Sequence, residues 1–419
     1  MECAGENTPS PWMVAREGSG PALFVRGVVL VWVVLLAAVC IRPLFQPGRS
    51  DLTLLWVSSA QLWSQGQSPY NTVDEFVNFR YGPPLAALFL PLSWVPTGVA
   101  IVGWRLLSAA VLLGGLAVWM REAAPRSMDR KTTAWVFLLL APLALGSLNN
   151  GQANALLAGL FLWTLIGVNR RAWNLAALCL ALAIWLKVYP VALALLLVLV
   201  HPVQLGLRVP FFVVLLGLLP YLTQGPDYVT EMYVTWWNVI RQGDVSRRFL
   251  PLENAYRDLL LLIRLWKVNI SLGQYTLLQA VGALACAVLC LHGLVRRLPT
   301  RVQYLRIYTC VLVWIMLLGP ATESNTYVLM APLLCWWAVQ VHEAGPAASR
   351  YLLGNALFLL YLCVVTVAGP SGRTVFLAAG LQPMAALLFA CAYALAENRL
   401  YAMEASKSAS VTIPANKAA

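Results

Sequence analysis

A chain of 419 residues that is 60% hydrophobic and only 11% charged, with a mean hydropathy of +0.72, carries more apolar side chain than one water-soluble core of that size can hide. The composition excludes a soluble globular enzyme and predicts an all-α polytopic membrane protein. A net charge of +12 does not point to nucleic acid, because the basic residues fall in short loops between apolar runs, where membrane orientation accounts for them. Nine cysteines are scattered without a CxxC, and His201, His292 and His342 stand apart from one another, so neither a zinc nor a di-iron site is expected.

The first apolar run, Phe24 to Phe45, counts 22 residues and rises about 33 Å as a helix, which matches a hydrocarbon core of roughly 30 Å. Its length and the lack of a small-residue cleavage pattern set it apart from a signal-peptide core, so residues 1–23 read as a short cytoplasmic tail ahead of a retained span. Further apolar runs at 84–96, 98–120, 132–148, 152–168, 174–201, 208–223, 274–296, 303–320, 326–341, 351–368 and 375–396 predict eleven to thirteen passes. The membrane domain then covers 24–396 and a second cytoplasmic tail follows at 397–419. Two segments, 46–83 and 224–273, are too long and too polar to be simple turns.

Basic loops set the orientation, since they belong on the cytoplasmic side. Arg121, Arg126, Arg130 and Lys131 form one, Arg170 and Arg171 a second, and Arg296, Arg297, Arg301 and Arg306 a third. All three share a side only if 84–120 makes one net crossing and 174–201 makes two short ones. The first condition leaves 84–96 at the interface or re-entrant; the second needs a hinge at Lys187-Val188-Tyr189-Pro190. Both polar segments and the GPATESN stretch at 319–325 then share the extracytoplasmic side of an inner membrane.

Polar residues on that outer side are the candidates for chemistry. Asp51 stands where the chain leaves the first span, desolvated enough to act as a base on a hydroxyl yet reachable from water. Its bland alternative is an interfacial carboxylate capping a helix over DLTLLWVSSAQLW. Leu52, Leu55, Trp56, Ser59 and Leu62 or Trp63 recur at helical spacing, predicting a helix on the membrane surface. The GQSPYN stretch at 66–71 predicts a chain reversal, and Pro83-Pro84 a helix start. Lys187, amid the apolar residues of IWLKVYP, either binds a ligand or snorkels to a headgroup. Arg247 and Arg248 offer a phosphate fork or touch lipid headgroups at a rim, and Arg80 has the same two readings. Asn149, Asn150, Gln152 and Asn154 bracket a tight turn at Gly151, either to bind sugar hydroxyls or to cap two spans. Glu323 and Asn325 either hold an acceptor or begin a helix capped by Thr322 or Ser324. Trp236 and Trp237 either stack on sugar or anchor an interfacial helix, anchoring being favoured.

Six motifs follow one another in order: an Asp after the first span, G-x-x-P-Y at 66–70, Y-x-P-P at 81–84 before LFLPL, N-G-Q-A-N at 150–154, W-L-K-V-Y-P at 185–190 and G-P-A-T-E-S at 319–324. Together they resemble the membrane glycosyltransferases of family 87, the polyprenyl-phosphate-mannose-type mannosyltransferases of the GT-C superfamily, over roughly residues 28–395. The resemblance implies a GT-C fold with interfacial helices in the first outer loop. It implies that Asp51 is the general base, deprotonating an acceptor hydroxyl for inverting attack on the anomeric carbon of a lipid-phosphate sugar. With a lipid-phosphate sugar as donor, Lys187, Tyr189, Arg247, Arg248 and Arg80 are the candidates to meet its phosphate; Gln152 and Asn154 match the family's pattern, and Tyr70, Tyr81, Glu323 and Asn325 are further candidates for the substrate site. The partners are then the lipid bilayer, a polyprenyl-phosphate sugar as co-substrate, mannose or related, and a lipid or glycan acceptor.

Neither outer segment carries D-x-D, so no catalytic metal or other cofactor is expected. Many relatives carry aromatic and histidine residues where this chain has Glu323, Ser324, Asn325 and Thr326, so no family histidine is carried over; Asn254 likewise lacks the Ser of an N-x-S pattern. A transporter or flippase of lipid-linked sugars is the main alternative. It would place polar residues at mid-bilayer in two corresponding halves, whereas charges within spans here are few, chiefly Arg105 and Lys187. A third reading is an enzyme fold that has lost activity and serves in assembly.

Overall fold

The computed structural model describes residues 19–45, 51–70, 79–247, 251–252, 254–365 and 375–411. The chain opens with α1 (Ser19–Phe45), α2 (Asp51–Ser64) and two short pieces, α3 (Pro83–Leu88) and α4 (Leu90–Ser93). There follow α5 (Thr97–Glu122), α6 (Arg130–Asn149), α7 (Asn154–Asn169), α8 (Trp173–Leu186) and α9 (Val191–Val200). α10 (Pro202–Leu205) and α11 (Arg208–Leu218) run into a 3₁₀ turn, Leu219–Leu222, before α12 (Pro226–Arg247) and α13 (Leu259–Leu265). α14 (Leu272–Val295), α15 (Thr300–Leu318), a 3₁₀ turn at Ser324–Leu329, α16 (Ala331–Ala344), α17 (Ala347–Val365) and α18 (Leu381–Val411) complete it.

Among the described residues, seven helical stretches are long and apolar enough to cross a membrane: Pro21–Phe45, α5, α6, Pro202–Leu222, α14, α15 and Ala347–Val364. Four apolar helices are shorter, namely α7, α8, α9 and Leu381–Glu397 of α18. The protein is therefore an all-α polytopic membrane protein, and eleven passes are reached when the short helices cross as well. Leu277, Val281, Leu284 and Val288 of α14 are all exposed at spacings of four, three and four, the stripe a helix turns toward lipid.

The three basic loops gather at one end. Arg170 pairs with Glu122 at 2.6 Å, Arg126 with Glu343 at 3.7 Å, and Arg171 and Arg301 line one cavity with Trp173, His201 and Tyr304. That gathering requires 173–200 to fold back on itself, and it does. The rings of Trp173 and His201, at the two ends of the α8–α9 pair, lie 5.1 Å apart. The break falls at Lys187, in an extended conformation with φ −154° and ψ 149°, just ahead of Pro190, which cannot continue a helix. The stretch from 83 to 93 makes two short helices and no span, so 84–120 crosses once, through α5.

Arg105 is buried near the ends of α1 and α6, where its guanidinium donates to the carbonyls of Val39 on α1 and Asn149 at the end of α6. It satisfies a helix-end carbonyl that has no partner within its own helix and staples three helices together. The charge inside α5 is thus a structural one.

The 224–273 segment carries α12 and α13. α2 packs one side on protein, with Leu55, Trp56, Ser59, Ala60 and Trp63 buried and Ser58, Gln61 and Ser64 exposed, because the two indoles find protein partners. The helix that holds the first apolar run begins at Ser19, and α18 continues to Val411. The two outer segments dock on each other: Trp63 Nε1 donates to Thr223 Oγ1 at 3.0 Å and Tyr228 donates its hydroxyl proton to the Gln67 carbonyl at 2.7 Å.

Candidate functional site

At the end opposite the basic loops, the chain between α6 and α7 turns at Gly151. Its φ of +65° is the left-handed conformation that glycine adopts without a Cβ penalty. The turn closes α6 with Gly151 N–H on the Leu148 carbonyl and Gln152 N–H on that of Ser147. The Gly151 carbonyl in turn accepts from two indoles, Trp104 at 2.8 Å and Trp56 at 3.4 Å. Trp56 also lies against Tyr81, with ring centroids 4.1 Å apart. The N-G-Q-A-N and Y-x-P-P motifs thereby meet through α2.

A polar chain leads from this turn to the α8–α9 hinge. Asn154 Nδ2 donates to Gln152 Oε1 at 2.8 Å, and Tyr189 donates its hydroxyl proton to Asn154 Oδ1 at 3.4 Å. Lys187 Nζ lies 5.8 Å from the Tyr189 ring centroid, within cation–π range. On the other side of the hinge, a Cβ at Gly82 would stand 2.6 Å from the Trp185 ring, so Y-x-P-P and W-L-K-V-Y-P fit only with glycine there.

Electrostatics tie Glu323 into this group. Burial raises the phenol pKa of Tyr81 and of Tyr189, and the Glu323 carboxylate adds to both. Burial lowers the Lys187 ammonium from its ordinary value; Glu323 opposes that and Arg80 adds to it. Arg80, Lys187, Glu323, Tyr81 and Tyr189 therefore share one neighbourhood of two cations, one carboxylate and two phenols. Such a cluster can meet a phosphate with positive charge and, at Tyr81, a neutral O–H donor.

The expected residues separate on this geometry. Arg80, Tyr81, Gln152, Lys187, Tyr189 and Glu323 come together. Asn154 is fully buried with its amide bonded to Gln152 and Tyr189, so it positions Tyr189. Tyr70 is also buried and donates its hydroxyl proton to the Tyr81 carbonyl at 3.0 Å, which holds the turn. Trp236 bonds the Arg80 carbonyl at 3.1 Å and packs on Trp185, while Trp237 is exposed. Glu323 itself begins the 3₁₀ turn, its N–H donating to Thr326 Oγ1 at 3.1 Å. Thr322 does not cap that turn, since its hydroxyl bonds the Ile315 carbonyl. Asp51 is the first residue of α2; its side chain, that of Arg247 and the whole of Arg248 lie outside the described residues.

Two contributors are missed by sequence reasoning. Arg257 and Asp258 are buried in the second outer segment, where Arg257 N–H donates to the Thr322 carbonyl at 2.6 Å and Tyr327 donates to the Arg257 carbonyl at 2.8 Å. These bonds seat the 319–327 segment, and with it Glu323. The available signal was an Asp directly before LLLL, a helix-start pattern; Asp258 does accept from Leu261 N–H at 3.3 Å.

Residues 79–320 match glycosyltransferase family 87, a stretch that takes in the Y-x-P-P, N-G-Q-A-N and W-L-K-V-Y-P motifs and leaves Asp51 and Glu323 outside. The catalytic subunit of GPI alpha-1,4-mannosyltransferase I from Danio rerio is 33% identical over 143 residues, 34% of each chain. GPI mannosyltransferase 1 of Gibberella zeae is 31% identical over 139 residues, 33% of this chain and 31% of its own. GPI mannosyltransferase 1 of Trypanosoma brucei brucei is 29% identical over 149 residues, 35% and 32% respectively. The chain thus spans about a third of the length of the curated relatives it matches. With the family match covering more than half of its length and three of its motifs converging on one polar cluster, the chain belongs to glycosyltransferase family 87.

Proposed function

We propose that this protein moves a sugar, mannose or a close relative, from a polyprenyl phosphate to a lipid or glycan acceptor on the extracytoplasmic face of the inner membrane. The observation that carries this reading is where Tyr189 stands. It belongs to the polar cluster, and it also lines an apolar groove of about 580 Å³ between α9, α14 and α15, with Val188, Ala192, Leu195, Val311 and Pro320. Leu195 is 63% exposed, so the groove opens sideways toward lipid. An isoprenoid phosphate is an apolar chain ending in an anion, and the groove with Lys187 and Arg80 at its head suits both parts. The basic loops at the far end support an outward-facing cluster, and the names of the relatives support mannose.

In this reading the acceptor oxygen attacks the anomeric carbon and its proton passes to the Asp51 carboxylate. The bond from that carbon to the phosphate oxygen breaks, and the electron pair leaves with the phosphate, which Lys187 and Arg80 meet. The leaving group is already anionic, so the demanding tasks are raising the nucleophilicity of the hydroxyl and stabilising phosphate charge. One carboxylate suffices for an inverting displacement. Asp51 opens the helix whose Trp56, about 7.5 Å further along the axis at 1.5 Å per residue, touches Tyr81 and Gly151; that placement supports it as the base.

The test is incubation of the purified protein in lipid nanodiscs with labelled polyprenyl-phosphate sugars and candidate lipid acceptors. Label should pass to the acceptor. No transfer, together with saturable movement of lipid-linked sugar across reconstituted vesicles, would favour a transporter.

A further inference from the structure

At the end of the molecule that gathers the basic loops, a cavity of about 790 Å³ opens where α7 and α9 stop and α8 and α15 start. Its volume falls within the range of ligand pockets. Arg171 and Arg301 line it, together with the amides of Asn169 and Gln204. Tyr304 and His201, also in its wall, share a hydrogen bond of 3.0 Å, and the Trp173 ring lies 5.1 Å from that of His201. Among the described residues that line the cavity there is no carboxylate. The nearest acid along the hydrogen bonds is Glu122, whose carbonyl Asn169 reaches at 3.0 Å. Its carboxylate is already taken by Arg121 and Arg170, each at 2.6 Å. Neither Arg171 nor Arg301 makes an ion pair among the described residues.

Charge selects an anion. Membrane orientation accounts for basic loops in general, but it does not require guanidiniums from two separate loops to converge on one cavity. A third stands at the rim, where Arg208 donates to the Gln204 carbonyl at 2.7 Å and to Asn174 Oδ1 at 3.1 Å. α15 opens into the same place with Pro299 at its N-cap and no side-chain cap, so the unpaired N–H groups of its first turn add to the positive potential. Guanidinium forks match phosphate oxygens in pairs. Position selects a lipid. Gln204 lies between Val203 and Leu207, which are 83% and 84% exposed and belong to the apolar stretch Pro202–Leu222 that is long enough to cross a membrane. Exposure of that kind is contact with acyl chains, so the mouth of the cavity borders lipid. A zwitterionic headgroup would also bring an ammonium, and no lining carboxylate is there to meet it.

We propose that this cavity binds the phosphodiester headgroup of an anionic phospholipid from the leaflet on that side. Arg171 and Arg301 hold the phosphate oxygens, Asn169 and Gln204 the headgroup hydroxyls, and the acyl chains run along Val203 and Leu207. Basic pockets between spans are a general mode of anionic-lipid recognition. The site lies at the opposite end of the molecule from Lys187 and Glu323, and it stands or falls independently of the transfer reading.

Native mass spectrometry of the full chain in a neutral detergent tests this, by counting bound phospholipids as phosphatidylglycerol or phosphatidylcholine is titrated in. The wild type should retain phosphatidylglycerol about tenfold more tightly than phosphatidylcholine, and millimolar inorganic phosphate should not displace it. Arg171→Gln and Arg301→Gln each remove a charge-assisted pair and should each weaken phosphatidylglycerol about tenfold. Arg130→Gln removes the same charge from another loop at the same end, and should leave binding within roughly a factor of two of the wild type. Thermal midpoints report that the variants are folded; should Arg301→Gln fail to fold, Arg171→Gln, an exposed loop position, carries the test. Equal retention of phosphatidylcholine, or an equal loss in all three variants, overturns the assignment. Displacement of the lipid by inorganic phosphate also overturns it, and would make the cavity a site for a soluble phosphate.

Discussion

Tyr189 donates its hydroxyl proton to Asn154 Oδ1 across 3.4 Å, and that bond ties the first residue of α7 to the hinge between α8 and α9. The hinge carries Lys187, so the bond fixes a cation at the head of the apolar groove. A net hydrogen bond is worth about 0.5–1.5 kcal/mol. Asn154→Leu and Tyr189→Phe should therefore each weaken affinity for a farnesyl-phosphate-linked sugar roughly two- to tenfold, and the double variant should lose no more than either single one. Additive losses in the double-mutant cycle would mean that the two residues act separately.

A pH dependence follows from Lys187. Burial lowers its pKa from the ordinary lysine value, with Glu323 opposing and Arg80 adding to the shift. A lowered lysine pKa means that the ammonium loses its proton at a lower pH than a free lysine would. Phosphate affinity that depends on this charge is complete at low pH and falls as pH rises through the depressed value. Titration calorimetry with farnesyl phosphate between about pH 7 and 10 should show that fall in the wild type. Lys187→Arg keeps its charge throughout, so the fall should vanish; if it persists, another group is titrating.

Arg105 makes a stability prediction. Its bonds to the Val39 and Asn149 carbonyls are charge-assisted, each worth about 1.5–3 kcal/mol. Arg105→Leu should lower the thermal midpoint in detergent by several degrees, and Arg105→Lys should recover only part, because an ammonium cannot reproduce the planar fork. An unchanged midpoint would show that the staple is dispensable.

The groove predicts a dependence on donor chain length. Ala192 lines it, and Ala192→Trp would narrow it. The variant should lose turnover with a long polyprenyl donor and keep more of it with a citronellyl-length donor that needs only the head of the groove. Equal loss for both lengths in a transfer assay would place the lipid elsewhere.

Much of this arrangement is legible in the residues. The hinge at 187–190 is visible because a lysine and a proline interrupt an apolar run too long for one span, and the basic loops demand that the chain reverse there. α12 is harder to see. Val229, Met232, Tyr233 and Trp236 recur at helical spacing and pack inward, but the charged and polar residues between them give the segment the composition of a loop. The role of Arg257 depends on contacts with the 322–327 segment, more than fifty positions away in the chain, which no local pattern announces. The bonds that tie Tyr70 to Tyr81 and Asn154 to Gln152 and Tyr189 are likewise not visible in their motif positions.

The most direct measurement is sugar transfer from a polyprenyl-phosphate donor by the Asp51→Asn variant beside the wild type, with donor binding followed in parallel. Transfer should fall by at least about a hundredfold, the scale of a lost general base, while donor affinity and expression stay within a factor of two or so. Turnover at the wild-type rate in the variant would contradict proton removal by Asp51.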